Sequence, residues 1–142
     1  MSFLLDTCVV TECFKPKPEP AVQAWLDQND STATFLSVLV IGEIRQGIAR
    51  IAGTPKAAEL ESWLEQILLP RFDRRVLAID ESVARRWGEI RGKAMAHGRT
   101  PPVIDSLLAA TAMEHRLSVV TRNIQDFERL GVDTINPWQF RP

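Results

Sequence analysis

Residues 1–10 read MSFLLDTCVV, and within them Phe3-Leu4-Leu5-Asp6 sets the expectation for the whole fold. Three consecutive apolar residues predict a short buried strand, and this strand ends on a carboxylate. Asp6 could serve the backbone by beginning a turn and capping the next helix. Alternatively, the strand delivers Asp6 to a site where negative charge is needed. The rest of the sequence must distinguish these two explanations.

The composition is that of an ordinary globular chain. It has 142 residues, of which 45% are hydrophobic and 25% are charged, and its formal net charge is −1. This length fits one domain, residues 1–142, with a core of useful size. The net charge neither supports nor excludes nucleic-acid binding, because a basic surface can be local.

The sequence carries no signal for secretion or membrane insertion. The amino terminus lacks a basic segment, and no apolar stretch approaches the roughly 20 residues that cross a bilayer. Cys8 and Cys13 are five residues apart, which would close a very short disulfide loop and does not match a zinc site. We therefore expect a cytoplasmic protein with reduced cysteines and no membrane association.

Short apolar strands alternate with amphipathic helices along the rest of the chain. Besides the first strand, the patterns predict strands at 32–38, 76–80, 118–121 and 133–136. They predict helices at 21–28, 39–51, 56–69, 81–96, 103–116 and 123–131. This order is typical of a three-layer α/β/α fold, in which helices cover both faces of a largely parallel sheet of about five short strands.

Ligands of such sheets bind beyond the carboxyl ends of the strands. Asp6 ends the first strand, and Thr121-Arg122-Asn123 ends the fourth. We therefore expect Asp6 to lie near the end of the fourth strand, in a position suited to function.

Three further acids stand in apolar surroundings or at helix starts: Glu43 in VLVIGEIRQGI, Asp105 in PPVIDSLLAATA and Asp126 in TRNIQDF. Each has a structural explanation, as an exposed helix glutamate or as an acid near the positive end of a helix dipole. Together with Asp6, however, they would repel one another unless a cation lay among them. Hard oxygen ligands in this number suit Mg²⁺ or Mn²⁺, and phosphoryl transfer is the common chemistry of such a site.

At these residues the sequence resembles the PIN-domain ribonucleases, and within them the VapC-type toxins of bacterial type II toxin–antitoxin modules. The matching pieces, in order, are LLDTCVV, SVLVIGEIRQGIARI, DSLLAATAMEH, VVTRNIQDF and NPWQF. GEIRQGI and NPW are most similar to the FitB-type branch. The chain departs from the family in reading Asn123 where relatives often have aspartate, and Cys8 where they usually have asparagine.

The resemblance implies a PIN-like fold and a Mg²⁺-dependent endoribonuclease, for which Mn²⁺ could substitute. Such an enzyme cleaves RNA with a metal-activated water, is usually dimeric, and is inhibited by a small DNA-binding antitoxin. Asp6, Asp105 and Glu43 match the metal-binding acids, with Glu43 either binding a second ion or acting as general base. Asn123 and Asp126 complete the catalytic set, and which of the two fills the fourth position is left open.

Other polar residues would support this site. Thr121 is expected to orient the ligands, and Thr7 could donate its hydroxyl to the phosphate. Arg45 and Arg122 could hold RNA phosphates, or could instead form salt bridges to nearby acids.

Two other functions remain open at this point. A phosphatase would also place an aspartate at a strand tip, but the haloacid type needs a second aspartate where Cys8 stands. A catalytically weak nucleic-acid-binding protein could keep the fold, and Asn123 leaves room for that. If Asp6 serves only function, the Asp6→Asn protein should be at least as stable as wild type in chelator, because repulsion among the acids is relieved.

Overall fold

The computed structural model describes all residues, 1–142, as strands and helices in regular alternation. The strands are β1 (Phe3–Leu5), β2 (Thr34–Ser37), β3 (Val76–Leu77), β4 (Ser118–Val120) and β5 (Thr134–Ile135). The helices are α1 (Thr7–Glu12), α2 (Pro20–Gln28), α3 (Val38–Arg50), α4 (Pro55–Trp63), α5 (Leu69–Arg71), α6 (Glu81–Ala96), α7 (Val103–Glu114) and α8 (Ile124–Glu128). A π-helical turn, Leu64–Leu68, joins α4 to α5, and 3₁₀ turns form at Ser31–Ala33 and Pro137–Gln139.

All five strands are parallel, and their spatial order is β3-β2-β1-β4-β5. In the centre, Leu4 of β1 lies opposite Phe35 of β2 and Val119 of β4. The chain builds one half of the sheet from β1 outward and then returns to build the other half from β4. The point where the order reverses therefore lies between β1 and β4, where ligands of open parallel sheets bind.

Alternate residues of β1 face opposite sides of the sheet, as the two-residue period of a strand requires. Phe3 and Leu5 belong to a core formed with the early helices, whereas Leu4 belongs to a second core that includes Leu108 and Phe127. The sheet is thus covered by helices on both faces. The predicted three-layer α/β/α architecture with five short strands is confirmed.

Helix α1 is the element for which the sequence offers the least local support. Four of its six residues are β-branched, which lowers helix propensity. It forms because Asp6 caps its first turn and because Val9 and Val10 are buried. Tertiary burial and a cap here outweigh local preference.

Several predicted elements have different ends in the structure, each for a local reason. The predicted strand at 32–38 begins only at Thr34, because Asp30 caps the preceding 3₁₀ turn by accepting a hydrogen bond from the Thr32 amide at 2.9 Å. The predicted strand at 76–80 ends at Leu77, since Asp80 is already the cap of α6.

The helix predicted at 56–69 runs on to Arg71 by way of the π-helical turn. Pro70 lies just after that turn and lacks the N–H group that a regular α-helix would require there. The wider turn accommodates this proline.

The start of α7 is anchored to α6 through a short hydrogen-bond chain. The Trp87 Nε1–H donates to Ser106 Oγ at 3.0 Å, and Ser106 Oγ donates to the Pro102 carbonyl at 2.7 Å. These contacts hold the first turn of α7, which carries Asp105, against its neighbour. No helix of the structure combines the length and the apolar character needed to span a membrane.

Candidate active site

Asp6 follows β1 directly and lies almost buried, with 6% of its surface exposed. Its Oδ1 accepts a hydrogen bond from the Thr7 amide at 2.8 Å, and its Oδ2 accepts one from Thr121 Oγ1 at 2.8 Å. Thr121 follows β4, so this second bond closes the point where the strand order reverses. Asp6 therefore caps α1 and also marks the sheet edge at which ligands are expected.

Thr7 connects Asp6 to Glu43. While its amide donates to Asp6, its hydroxyl donates to Glu43 Oε1 at 2.6 Å. The contact of this hydroxyl with a phosphate stays a prediction. Thr7 holds a glutamate of α3 beside the end of β1, a role for which the sequence carries no signal because the residues are 36 positions apart.

Asp105 is half-buried in the first turn of α7, and its pKa is raised to about 6. Loss of contact with water is the largest cause, followed by the negative charges of Asp6, Asp126 and Glu43. Neither a hydrogen bond nor a nearby cation opposes these effects. The structure thus brings Asp6, Glu43 and Asp126 close enough to Asp105 to raise its pKa, and no positive charge opposes their effect on it.

Asn123 and Asp126 contribute differently to the fourth position. The Asn123 amide donates to Thr121 Oγ1 at 3.0 Å, but its side chain caps nothing and is exposed. Asp126, in the first turn of α8, acts on the pKa of Asp105 more strongly than Glu43 does. Of the two residues, Asp126 is therefore the one that adds negative charge to the cluster.

Asp6, Glu43, Asp105 and Asp126 interact through their charges, but they are not arranged as the ligands of a bound metal ion. No group of three or more histidine, cysteine, aspartate or glutamate side chains is arranged closely enough to hold a metal ion. The donors are carboxylate oxygens from four different segments, and the chemistry of this donor set suits a hard divalent cation such as Mg²⁺. In charge and ligand type, though not in a ready-made geometry, the residues fit such an ion.

The two arginines that flank the acids in sequence are engaged elsewhere. Arg45 Nη1 donates to Glu61 at 2.9 Å, and its Nη2 donates to Glu65. Arg45 therefore forms salt bridges, although its partners lie on α4 and on the π-helical turn after it and not in the cluster. The Arg122 guanidinium lies 3.9 Å from the ring centre of Trp138, and it forms a cation–π contact.

Cys8 borders the cluster as a free thiol, and Cys13 is also free. The Cys8 Sγ lies 3.6 Å from Asp6 Oδ2. Burial, and next the charge of Asp6, raise the pKa of the Cys8 thiol. Cys8, one of the two residues that depart from the resembled family, is thus a neighbour of Asp6 whose thiol favours the neutral form.

Comparison with known proteins agrees with this fold. The PIN domain family model matches residues 3–133. Toxin FitB of Neisseria gonorrhoeae is 39% identical over 135 residues, which cover 95% of this chain and 97% of that protein. A VapC ribonuclease of Sinorhizobium fredii is 34% identical over 96% of this chain and 97% of its own.

A solved structure of FitAB bound to a DNA fragment contains a chain of the same fold. It is 36% identical and covers 99% of this chain and 98% of its own, with a TM-score of 0.90. The strand order and these similarities indicate the same fold. The chain belongs to the PIN domain family, in the branch of VapC- and FitB-type proteins.

Proposed function

We propose that the chain is a Mg²⁺-dependent endoribonuclease that acts as the toxin of a type II toxin–antitoxin module. One observation carries the proposal: in a PIN domain, burial together with the negative charges of Asp6, Asp126 and Glu43 raises the pKa of Asp105 to about 6, and no positive charge opposes this rise. A relative named a VapC ribonuclease supports the reaction class, and a relative named a toxin supports the biological role.

Each acid has a role that follows from its contacts. Asp6 and Asp105 would hold the metal ion: Asp6 is oriented by Thr121, and Asp105 accepts no competing hydrogen bond. A bound Mg²⁺ or Mn²⁺ supplies a clamp on phosphate oxygens and a water of lowered pKa. Glu43, kept in place by Thr7, accepts a proton from the attacking water as general base.

Asp126 completes the charge of the site in place of an aspartate at position 123. Because it is exposed on the first turn of α8, it can act through a bridging water without losing its own hydration. Asn123 lies two residues beyond Thr121 and can orient such a water through its amide group.

The proposed partners are an RNA substrate, a second copy of this chain and a small DNA-binding antitoxin. The support is the resemblance of the chain, over 99% of its length, to a chain in FitAB bound to DNA. The toxin role also requires an inhibitor, since unrestrained RNA cleavage would harm the cell that makes it.

An RNA cleavage assay tests the proposed reaction. The purified chain should cut single-stranded RNA in Mg²⁺ but not in EDTA, and Asp105→Asn should lose at least about a hundredfold in rate, because it removes a proposed metal ligand. Asp73→Asn, a matched change at an exposed residue outside the cluster, should cleave as wild type does. Equal cleavage in EDTA, or by Asp105→Asn, would refute the metal-dependent reaction. RNA binding without any cleavage would instead favour the catalytically weak alternative.

A growth assay tests the toxin role separately. Expression of the chain alone should arrest bacterial growth, and Asp6→Ala at equal expression should relieve the arrest. Arrest by both proteins would show that nuclease action is not the cause.

A further inference from the structure

The net charge of −1 conceals an uneven distribution of basic residues. A groove of about 380 Å³ opens where α6 lies near the ends of α7 and α8. The basic side chains that line it include Lys93, His97, Arg99 and Arg129, and we call it the basic groove. Its acidic lining residue is Glu89. A local basic surface thus exists that the overall composition does not reveal.

Three side chains of the basic groove form no ion pair within the protein. The ion pairs of the structure use Lys15, Arg45, Arg85 and Arg86. Lys93, Arg99 and Arg129 take part in none of them, and all three are exposed. Arg99 Nη1 instead approaches the Arg129 carbonyl at 3.5 Å, which brings two like charges to the same surface.

The basic groove leads to the acidic cluster. Arg99 and Arg129 also line an adjoining depression of about 260 Å³ that includes Asp126. Asp126 is in turn close enough to Asp105 to raise its pKa. A continuous surface therefore extends from Asp126, past Arg99 and Arg129, to Lys93.

We propose that Arg99, Arg129 and Lys93 bind the sugar–phosphate backbone of single-stranded RNA on one side of the bond that is cleaved. The inference deepens the proposed ribonuclease function and rests on it. Arginine forks match phosphate oxygens in two-point contacts, and unpaired cations keep their full attraction for a polyanion. A nucleic acid also brings regularly spaced charges along its length, so one phosphate can occupy the acidic site while its neighbours reach the basic groove.

Binding of a labelled oligouridylate of about 12 nucleotides, measured by fluorescence anisotropy, tests the proposal. Asp105→Asn serves as the background, so that the probe is not cut during the measurement. In that background, Arg99→Gln/Arg129→Gln should weaken binding about tenfold. The plot of log K against log salt should become less steep by about 1.4, or roughly 0.7 for each lost phosphate contact.

Matched variants separate the groove from a general loss of charge. Arg50→Gln/Arg116→Gln makes the same charge change at exposed arginines that form no ion pair and lie outside the basic groove, and it should bind as the background does. Arg99→Lys/Arg129→Lys should restore most of the binding and the salt slope. Urea unfolding must give the same midpoint for all variants, which excludes misfolding as the cause.

Cleavage by the otherwise wild-type enzyme adds a second readout. The double glutamine variant should lose activity on the longer RNA but keep it on a dinucleotide, which is too short to reach the groove. If the glutamine variant and the background have equal affinity for RNA and equal salt slopes, the proposal that the basic groove binds RNA is refuted. An unchanged affinity for RNA combined with a loss of binding to an inhibitory protein would also refute it, because the groove would then serve that partner. If the background protein and wild type neither bind nor cut RNA, the proposed function itself fails.

Discussion

The burial of Asp105 and the negative charges around it predict that the Asp105→Asn protein is more stable than wild type at neutral pH in the absence of metal. The carboxyl has an ordinary pKa of 3.8, and in the folded protein its pKa is about 6. A raised pKa means that folding favours the protonated form. The folded protein is therefore more stable with Asp105 protonated than with Asp105 ionised. This stability is fully present below about pH 4 and is lost as the pH rises through about 6.

The size of the effect follows from the difference between the two pKa values. A difference of about two corresponds to at most about 3 kcal/mol. Because Asp105 is only half-buried, solvent screens part of the repulsion. The substitution also removes the favourable interaction of the carboxylate with the helix dipole, which lowers the gain by about 0.3–1 kcal/mol more. We therefore expect Asp105→Asn to raise the free energy of unfolding by about 1 kcal/mol at pH 7.

Urea unfolding in EDTA at pH 7 and at about pH 4 measures this prediction. The gain should be present at pH 7, should vanish near pH 4, and should shrink with added salt. Asp73→Asn should change the free energy of unfolding by less than about 0.5 kcal/mol at either pH. An Asp105→Asn protein that is less stable than wild type at pH 7, or equally changed at both pH values, would refute the reasoning.

Three other predictions concern the neighbours of Asp105. Asp6→Asn should lower the free energy of unfolding in EDTA by about 1 kcal/mol, because Asp6 caps α1 and accepts a hydrogen bond from Thr121. This is the reverse of what the sequence suggests, and an unchanged urea midpoint would contradict it. Thr7→Val should lower kcat about tenfold by releasing Glu43, while the Thr7→Ser hydroxyl restores it; equal rates for both variants would exclude the positioning role. At pH 8 the Cys8 thiol should react with iodoacetamide more slowly than free cysteine does, because burial and the charge of Asp6 raise its pKa; a rate equal to that of free cysteine would count against the charged surroundings.

The sequence by itself determined the layers of the fold and the identities of the acids. The apolar run Phe3–Leu5 and the period of the helices predict a parallel sheet covered on both faces, because these patterns depend only on neighbours a few positions apart. The position of Asp6 at a strand end also predicts a site, since carboxyl ends of parallel strands share one edge. For the same reason α1 is poorly predicted: its β-branched residues favour a strand locally, and only the burial of Val9 and Val10 makes it a helix.

Only the tertiary structure decided which distant groups meet. The hydroxyl of Thr7 reaches Glu43, Arg45 turns to Glu61, and Asp126 adds its charge beside Asp105. The basic groove likewise joins residues from α6, from the loop before α7 and from the end of α8. Contacts of this kind depend on how whole helices and strands pack. The charge of a side chain does not by itself predict which oppositely charged side chain will lie close to it. The sequence therefore names the chemistry of the site, and packing assigns the partner of each residue.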